Sequence, residues 1–150
     1  MQRFRERLVP GAGPLLAALL LVPAIYIIFL PISVVIGSFA CVVITAVVEL
    51  LLVVLSPVVS VTDGMLVAGP ARIPVELTGE AEAFRGEAAR AARGVDLDAR
   101  AFRLFRGWVD PVLRVHLTDP DDPVPYWLLS TRKPEELSAA IAAERDARTP

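Results

Sequence analysis

The sequence predicts an α+β membrane protein, in which an N-terminal transmembrane helical hairpin is followed by a small antiparallel β-barrel or bent sheet that a C-terminal helix closes. Three observations predict this class. Residues 8–48 carry no charged side chain, and about 20 apolar residues are enough to cross a membrane once. From Val58 onward, the apolar residues occur in short alternating runs that are typical of β-strands. After the last of these runs, Pro134 opens an amphipathic segment that is typical of a helix.

The hairpin is predicted from the length of the apolar run and from one break within it. Pro31-Ile32-Ser33 is the favoured break, because proline disfavours helical geometry in the preceding residue and suits a first helical turn. The two helices then cover about residues 12–30 and 33–55, and Gly37 is the alternative break. Pro23 is expected to kink the first helix. A cleaved signal peptide is the rival interpretation, but its apolar region would extend over only about 7–15 residues.

Basic residues predict the orientation of the hairpin. Residues 1–11 form a basic N-terminus with Arg3, Arg5 and Arg7, whereas the loop of the hairpin has no basic residue. Because basic residues stay on the cytoplasmic side, we expect a multi-pass protein of the plasma membrane with both termini in the cytoplasm. Residues 56–150 then form a cytoplasmic domain.

Glu49 is the one charged residue inside the predicted helical hairpin. A carboxylate within a membrane is a functional candidate, because burying an unpaired charge in lipid is costly. Glu49 lies near the predicted cytoplasmic end of the second helix, so contact with head groups or an N-terminal arginine is the preferred interpretation. A contact with another helix within the membrane and a role in transport are the alternatives.

Alternating segments in the cytoplasmic domain predict about six short strands. Asp63-Gly64 is a strong signal for a hairpin turn, and a short helical stretch is expected within Glu80–Arg93. The final helix is expected over about residues 134–147, with an apolar stripe on Leu137, Ala140 and Ile141. The predicted strands are 58–62, 65–68, 71–77, a segment within 98–106, 112–117 and 126–130.

The sequence resembles a family of small actinobacterial membrane proteins that is filed as a domain of unknown function. The resemblance is carried by Asp63–Gly69, Ala71–Pro74, Ala101-Phe102 and Arg106–Val109, and most specifically by the segment from Asp119 to Pro134. It implies two N-terminal membrane helices and a compact β-rich cytoplasmic domain. The spacing is also similar to that of the pleckstrin-homology-like (PH-like) fold. Neither resemblance implies an activity.

Composition excludes several classes of function. The chain has 15 basic and 17 acidic side chains, so it lacks the basic field that nucleic-acid binding requires. Its single cysteine, Cys41, and single histidine, His116, are too few for a zinc site. Asp119, Asp121 and Asp122 could suggest calcium, but the neighbouring prolines already explain a turn. We therefore expect no metal, no cofactor and no nucleic-acid partner.

Aromatic and basic side chains form the remaining candidate surface for a ligand or partner. Aromatic rings near arginines can stack on ligands or lie at a lipid interface, although they could equally belong to the core and rim of a small barrel. Residues 130–133 precede a helix N-terminus, where anions are favoured. The candidate residues are Arg106, Trp108, Tyr126, Trp127 and Arg132.

These observations favour a non-enzymatic, membrane-tethered interaction module. Its expected partners are the lipid bilayer and either another membrane protein or further copies of the chain. A subunit of a larger membrane complex, packed through Gly37, Ser38 and Ala40, is one alternative. An enzyme acting on a lipid or cell-envelope precursor is the other, and it would need a nucleophile or paired carboxylates in a pocket.

Overall fold

The computed structural model describes residues 2–148, which form two compact units. The first unit contains the chain up to Leu8 and from Pro57 onward, and the second contains Val9–Ser56. The chain therefore leaves the first unit after Leu8 and rejoins it at Pro57.

The second unit consists of apolar helices. Helix α1 spans Ala12–Leu19, α2 spans Leu21–Phe29 and α3 spans Val34–Val54. Leu20 interrupts the first helical segment because Pro23 has no N–H to donate to the carbonyl group of Leu19. The segment Ala12–Phe29, which contains α1, Leu20 and α2, covers 18 residues and α3 covers 21, so each is long and apolar enough to cross a membrane.

The turn between α2 and α3 lies at residues 30–33, where the sequence predicted the break. Ser33 caps α3, since its side-chain oxygen accepts a hydrogen bond from the backbone N–H of Ile36 at 3.5 Å. Gly37, the alternative break, lies inside α3 and packs against α2. A Cβ atom at Gly37 would lie 3.3 Å from that of Phe29, so the missing side chain lets these two helices approach closely.

Sheet A of the first unit has four antiparallel strands in the order β1-β2-β3-β4. Strand β1 is Gln2–Arg7, β2 is Val58–Thr62, β3 is Met65–Ala68 and β4 is Ala71–Pro74. A 3₁₀ turn, Val75–Leu77, follows β4. The predicted hairpin turn is confirmed, because Asp63 and Gly64 connect β2 to β3 with φ values of 51° and 79°.

The pairing of β1 with β2 brings together the two chain segments that flank the helices. Arg5 lies opposite Ser60, and Arg7 lies opposite Val58. The helical unit is therefore inserted in the chain between two adjacent strands of one sheet.

Sheet B has four strands in the order β5-β7-β8-β6. Strand β5 is Thr78–Phe84, β6 is Phe102–Leu104, β7 is Val112–Leu117 and β8 is Tyr126–Ser130. Strands β6 and β8 are parallel, whereas β7 is antiparallel to both β5 and β8. The short helix α4, Gly86–Arg93, follows β5.

One hydrophobic core joins the two sheets and the last helix, α5, Pro134–Asp146. Its fully buried members include Leu66 of sheet A, Leu113 and Leu129 of sheet B, and Leu137 of α5. The predicted stripe of α5 is confirmed, since Leu137, Ala140 and Ile141 all belong to this core.

Two parts of the predicted architecture are wrong. The strands of residues 2–148 form two separate sheets and no closed barrel. The sheets are also not wholly antiparallel, because the three-residue strand β6 pairs in parallel with β8 at the edge of sheet B.

Two strands were not predicted. Strand β1 occupies most of the segment that we expected to be a separate basic N-terminus. Strand β5 occupies the first part of Glu80–Arg93, so a helix forms only over the second part, as α4.

Candidate functional site

A carboxylate of β1 lies at the segment that precedes α5. The side chain of Glu6 is only 11% exposed. Its Oε2 accepts a hydrogen bond from the hydroxyl group of Thr131 at 2.5 Å, and its Oε1 accepts one from the backbone N–H of Arg132 at 3.1 Å. The guanidinium group of Arg132 approaches the same carboxylate at 3.5 Å. The segment before α5 is thereby bound to the N-terminal strand.

These contacts engage the donors of residues 130–133, the segment that the sequence indicated as favourable to anions. The donors are present, and the backbone N–H of Lys133 adds a hydrogen bond to the Thr131 hydroxyl oxygen at 3.1 Å. The anion that they bind is the carboxylate of Glu6, a residue of the chain itself. Glu6 was not predicted from the sequence, because residues 1–11 were interpreted as a basic N-terminus that precedes the helices.

Two further candidate residues lie around the same end of β1. The indole N–H of Trp108 donates to the carbonyl oxygen of Leu8 at 3.0 Å. The backbone N–H of Arg106 donates to the hydroxyl oxygen of Ser130 at 3.2 Å, and its guanidinium group donates to the carbonyl oxygen of Phe105 at 2.9 Å. The structure thus brings Arg106, Trp108 and Arg132 to the place where the chain leaves β1.

Tyr126 and Trp127 point to opposite faces of β8, so they do not form one surface. Trp127 is 6% exposed and lies in the core between the sheets, with its ring 4.7 Å from that of Phe102. Tyr126 belongs to a second, smaller cluster beneath α4, which also contains Ala89 and Ala92. Its hydroxyl oxygen accepts a hydrogen bond from the backbone N–H of Asp98 at 2.7 Å.

Arg114 forms a polar centre on the same face of sheet B as Tyr126. Its guanidinium group lies 4.8 Å from the ring centroid of Phe84 and 4.9 Å from that of Tyr126. It also pairs with Glu82 at 3.4 Å. Within residues 2–148, its Nε atom is buried and has no hydrogen-bond partner. Two aromatic faces and one carboxylate therefore hold this cation. The alternation of apolar and polar residues along β7 was the only feature of the sequence that pointed to Arg114.

The cluster of aspartates satisfies its own backbone. Asp119 accepts a hydrogen bond from the N–H of Asp121 at 3.0 Å, and Asp122 accepts one from the N–H of Val124 at 2.9 Å. These contacts form the side-chain turns that aspartate favours. The described part of the chain contains no group of three His, Cys, Asp or Glu side chains that could hold a metal ion.

Glu49 lines a groove of about 330 Å³ within the helical unit. Cys41, Thr45 and Glu49 follow one another along one stripe of α3, and Leu19 and Val22 line the other side. The thiol group of Cys41 donates to the carbonyl oxygen of Val22 at 3.4 Å. The hydroxyl oxygen of Thr45 is buried without a hydrogen-bond partner among the described residues.

Ion pairs lower the pKa values of several carboxylates of the first unit. The hydrogen bond from Arg3 lowers the pKa of the Glu144 carboxyl group, and Arg148 adds to this effect at 3.6 Å. The guanidinium group of Arg85 lowers the pKa of Glu135. The backbone N–H of Gly86, followed by Arg93, lowers that of Asp110. These carboxylates are therefore ionised at neutral pH and bound to arginines.

The fold and this geometry define a class: a β-rich unit in which two apolar helical segments of membrane-spanning length are inserted in the chain between its first two strands. The family comparison assigns the chain within that class. Residues 3–141 match the family described as "Protein of unknown function (DUF3093)", and the chain belongs to that family. No curated protein and no solved structure matches the chain.

Proposed function

We propose that the protein is a non-enzymatic interaction module that its helical hairpin holds at the membrane. The observation that carries the proposal is the pairing of β1 with β2 across the inserted helices. Because the hairpin enters and leaves through adjacent strands, two chain connections restrain the module where one would let it rotate. Such a restraint suits a module that presents a fixed surface to a partner at the bilayer.

The same pairing supports a topology with both termini in the cytoplasm. Strands of one sheet must lie on the same side of a membrane, so the segments on either side of the helices share one compartment. Arg3, Arg5 and Arg7 stand before the first helix and none stands in the turn, which favours the cytoplasmic side.

The partners of the acidic side chains support a non-enzymatic role. Glu6, Glu82 and Glu144 are engaged by arginines, and Asp119 and Asp122 close turns of their own backbone. A general acid or base needs a carboxylate that faces a substrate. An enzyme acting on a lipid or cell-envelope precursor is therefore the less favoured alternative.

In more specific terms, we propose that the β-rich unit has a PH-like fold and that the protein is of actinobacterial origin. Two four-stranded sheets with a C-terminal helix packed on their common core support the PH-like fold, while the parallel pairing of β6 with β8 departs from an antiparallel arrangement. The actinobacterial origin rests on the sequence resemblance alone.

The groove on α3 favours a second candidate function, as a subunit of a larger membrane complex. The hydroxyl oxygen of Thr45 is buried and has no hydrogen-bond partner among residues 2–148. Glu49 lies one turn further along the same stripe of α3. Polar groups of this kind can form hydrogen bonds between helices in a membrane.

Crosslinking and purification of the full chain from its native membranes tests both candidates. We expect wild-type protein to retain specific proteins that Trp127→Ala loses, because that substitution unfolds the β-rich unit while the hairpin stays inserted. If the wild-type protein and the Trp127→Ala variant retained the same partner proteins, the module proposal would be overturned in favour of binding through the hairpin. Enrichment of no protein by the wild type would also contradict it.

The membrane topology is tested separately by reporter fusions at the C-terminus. Alkaline phosphatase is active only outside the cytoplasm, so we expect the fusion to be inactive and a fluorescent-protein fusion to be bright. An active phosphatase fusion would overturn the proposed topology. Extraction with alkaline carbonate provides the matching control, because a chain released by carbonate is not integral to the membrane.

A further inference from the structure

The outer face of sheet A carries a row of residues that crosses all four strands. Arg5 pairs with Ser60, Ser60 with Val67, and Val67 with Arg72. Phe4, Val59, Leu66 and Ile73 belong to the opposite face and lie in the core. Because side chains alternate along a strand, the row faces away from the core, with an arginine at each end.

The charge of this face differs from that of the unit to which it belongs. Of the charged residues, only Glu49 lies within residues 9–56, so the first unit holds 15 basic and 16 acidic side chains, a net charge of −1. The outward positions of sheet A carry Arg5, Arg7 and Arg72 and, between them, uncharged residues of β2 and β3. Arg5 and Arg72 are both exposed. This face therefore complements an anionic surface.

The short chain connections limit the distance between the ends of β1 and β2 and the ends of the helices. Residues 8–11 alone separate β1 from α1, and residues 55–57 alone separate α3 from β2. Four residues span at most about 14 Å when fully extended. The ends of β1 and β2 are therefore tethered within about 14 Å of any bilayer that the helices cross, a distance comparable to one or two Debye lengths at physiological salt.

We propose that the outer face of sheet A binds the head groups of acidic phospholipids, with Arg5 and Arg72 as the two phosphate contacts. This inference rests on the proposed function, since it requires the hairpin to be in a membrane. Guanidinium groups bind phosphate oxygens with two parallel hydrogen bonds. Ser60 and Val67, between the two arginines, are small enough to leave the head groups access to the strands.

The expected size of the effect follows from the charge of the arginines. Each basic residue at an anionic membrane surface contributes about fivefold to the binding equilibrium, so loss of both arginines shifts the docked fraction by about 25-fold. The contribution falls with added salt, because salt screens the attraction.

The test uses the full chain in lipid nanodiscs, with a spin label attached at Val67→Cys in a Cys41→Ser background. We expect the label to be accessible to a water-soluble relaxation agent in phosphatidylcholine discs. In discs with about one third phosphatidylglycerol it becomes protected, with a protected fraction that high salt lowers. The additional changes Arg5→Gln and Arg72→Gln restore accessibility in the acidic discs.

Matched controls separate a surface effect from a general one. Arg90→Gln with Arg103→Gln removes two exposed arginines elsewhere and leaves the protection unchanged. A label at Val95→Cys, where the native side chain is 91% exposed, stays accessible in both lipids.

Two outcomes overturn the inference. Equal accessibility at position 67 in neutral and acidic discs shows that the face does not bind acidic head groups. Protection that persists in the Arg5→Gln, Arg72→Gln protein assigns it to another contact, such as a protein partner or a second copy. Failure of the chain to insert into discs contradicts the proposed function instead, so the two failures are distinguishable.

Discussion

The hydroxyl group of Thr131 donates a hydrogen bond of 2.5 Å to the carboxylate of Glu6, a residue 125 positions away in the sequence. This bond joins the strand that precedes the helices to the segment that starts the last helix. Only 11% of the Glu6 side chain is exposed. Its carboxylate therefore depends on hydrogen bonds from the protein, in place of water.

We expect both Glu6→Gln and Thr131→Val to destabilise the first unit. Hydrogen bonds to a charged group contribute about 1.5–3 kcal/mol, and a buried partner left unsatisfied adds to the loss. Thermal unfolding of the full chain in detergent, followed by tryptophan fluorescence, measures each change. The double variant should lose less than the sum of the two single variants, because Glu6→Gln weakens and Thr131→Val removes the same bond.

The exposed residue Glu80 provides the control for this pair. Glu80→Gln removes a carboxylate from the same unit and should leave the melting temperature unchanged, since exposed substitutions usually have effects within about 0.5 kcal/mol. Strictly additive losses in the double variant would show that Glu6 and Thr131 are not coupled.

Trp127→Ala should unfold most of the β-rich unit. The ring lies in the core that both sheets share with α5, next to Phe102, and truncation of a buried tryptophan costs about 3–5 kcal/mol. A small domain has only about 5–15 kcal/mol of stability. Limited proteolysis of the full chain in detergent should therefore cleave residues 57–148 rapidly in the variant and slowly in the wild type.

The neighbouring tyrosine gives a matched comparison. Tyr126→Phe keeps the ring and removes only the hydroxyl group that binds the backbone N–H of Asp98, so the loss should be near 1 kcal/mol. If Trp127→Ala melted within a few degrees of the wild type, Trp127 would be a ligand platform and not a core residue.

The parts of the fold that the sequence predicts well are those determined by local chemistry. Asp63-Gly64 determines its own turn, Pro31 and Ser33 determine the start of α3, and Pro134 determines the start of α5. Each of these signals acts within a few residues, and therefore a single sequence is enough to find it.

Strand β1 shows what a local pattern does not reveal. Phe4 and Leu8 alternate with Arg5 and Arg7, as in a strand with one buried face, yet the three arginines also match the basic flank of a membrane helix. The deciding partner is β2, which begins at Val58, beyond the whole helical unit. Only this long-range pairing reveals that the basic residues belong to a sheet.

Strand β5 shows tertiary pairing overriding local propensity. Its alanines and glutamates favour a helix, but hydrogen bonds to β7 place Ala83 opposite Leu113 and Glu82 opposite Arg114. The arrangement of the candidate site residues also depends on contacts between segments that are distant in the sequence. Trp108 binds Leu8 and Arg132 binds Glu6, so both depend on the N-terminal segment, which is far away in the sequence. Tyr126 and Trp127 separate because strand residues alternate.

The stability of the first unit should depend on pH through Glu144. Its pKa is lowered from the ordinary value of 4.5, chiefly by the hydrogen bond from Arg3. A carboxyl group whose pKa is lower in the folded state stabilises that state above the ordinary value, and the contribution is lost as the pH falls through the lowered one. Glu144→Gln should therefore lower the melting temperature at neutral pH and have little effect in strong acid.

Thermal melts of the two proteins over a pH series measure this dependence. The other carboxylates titrate equally in both, so the difference between the two melting temperatures isolates Glu144. A difference that stays constant from neutral pH to well below 4.5 would mean that the ionisation of Glu144 does not contribute to stability. Glu80→Gln again serves as the control and should show no difference at any pH.

The last prediction concerns Glu49, which lies five residues before the end of α3 at Val54. Five residues of helix rise about 7.5 Å, a distance over which a side chain near a helix end can extend toward the head groups. Glu49→Gln should then leave membrane insertion and abundance nearly unchanged. A photocrosslinking amino acid at Ala46, which lines the same groove, should give the same products in both proteins. Thr45→Val removes the buried hydroxyl group of the stripe and serves as the matched control, because it changes polarity without changing charge. A clear loss of crosslinked species in Glu49→Gln alone would show that the carboxylate pairs inside a helix assembly, and it would favour the membrane-complex candidate over the tethered module.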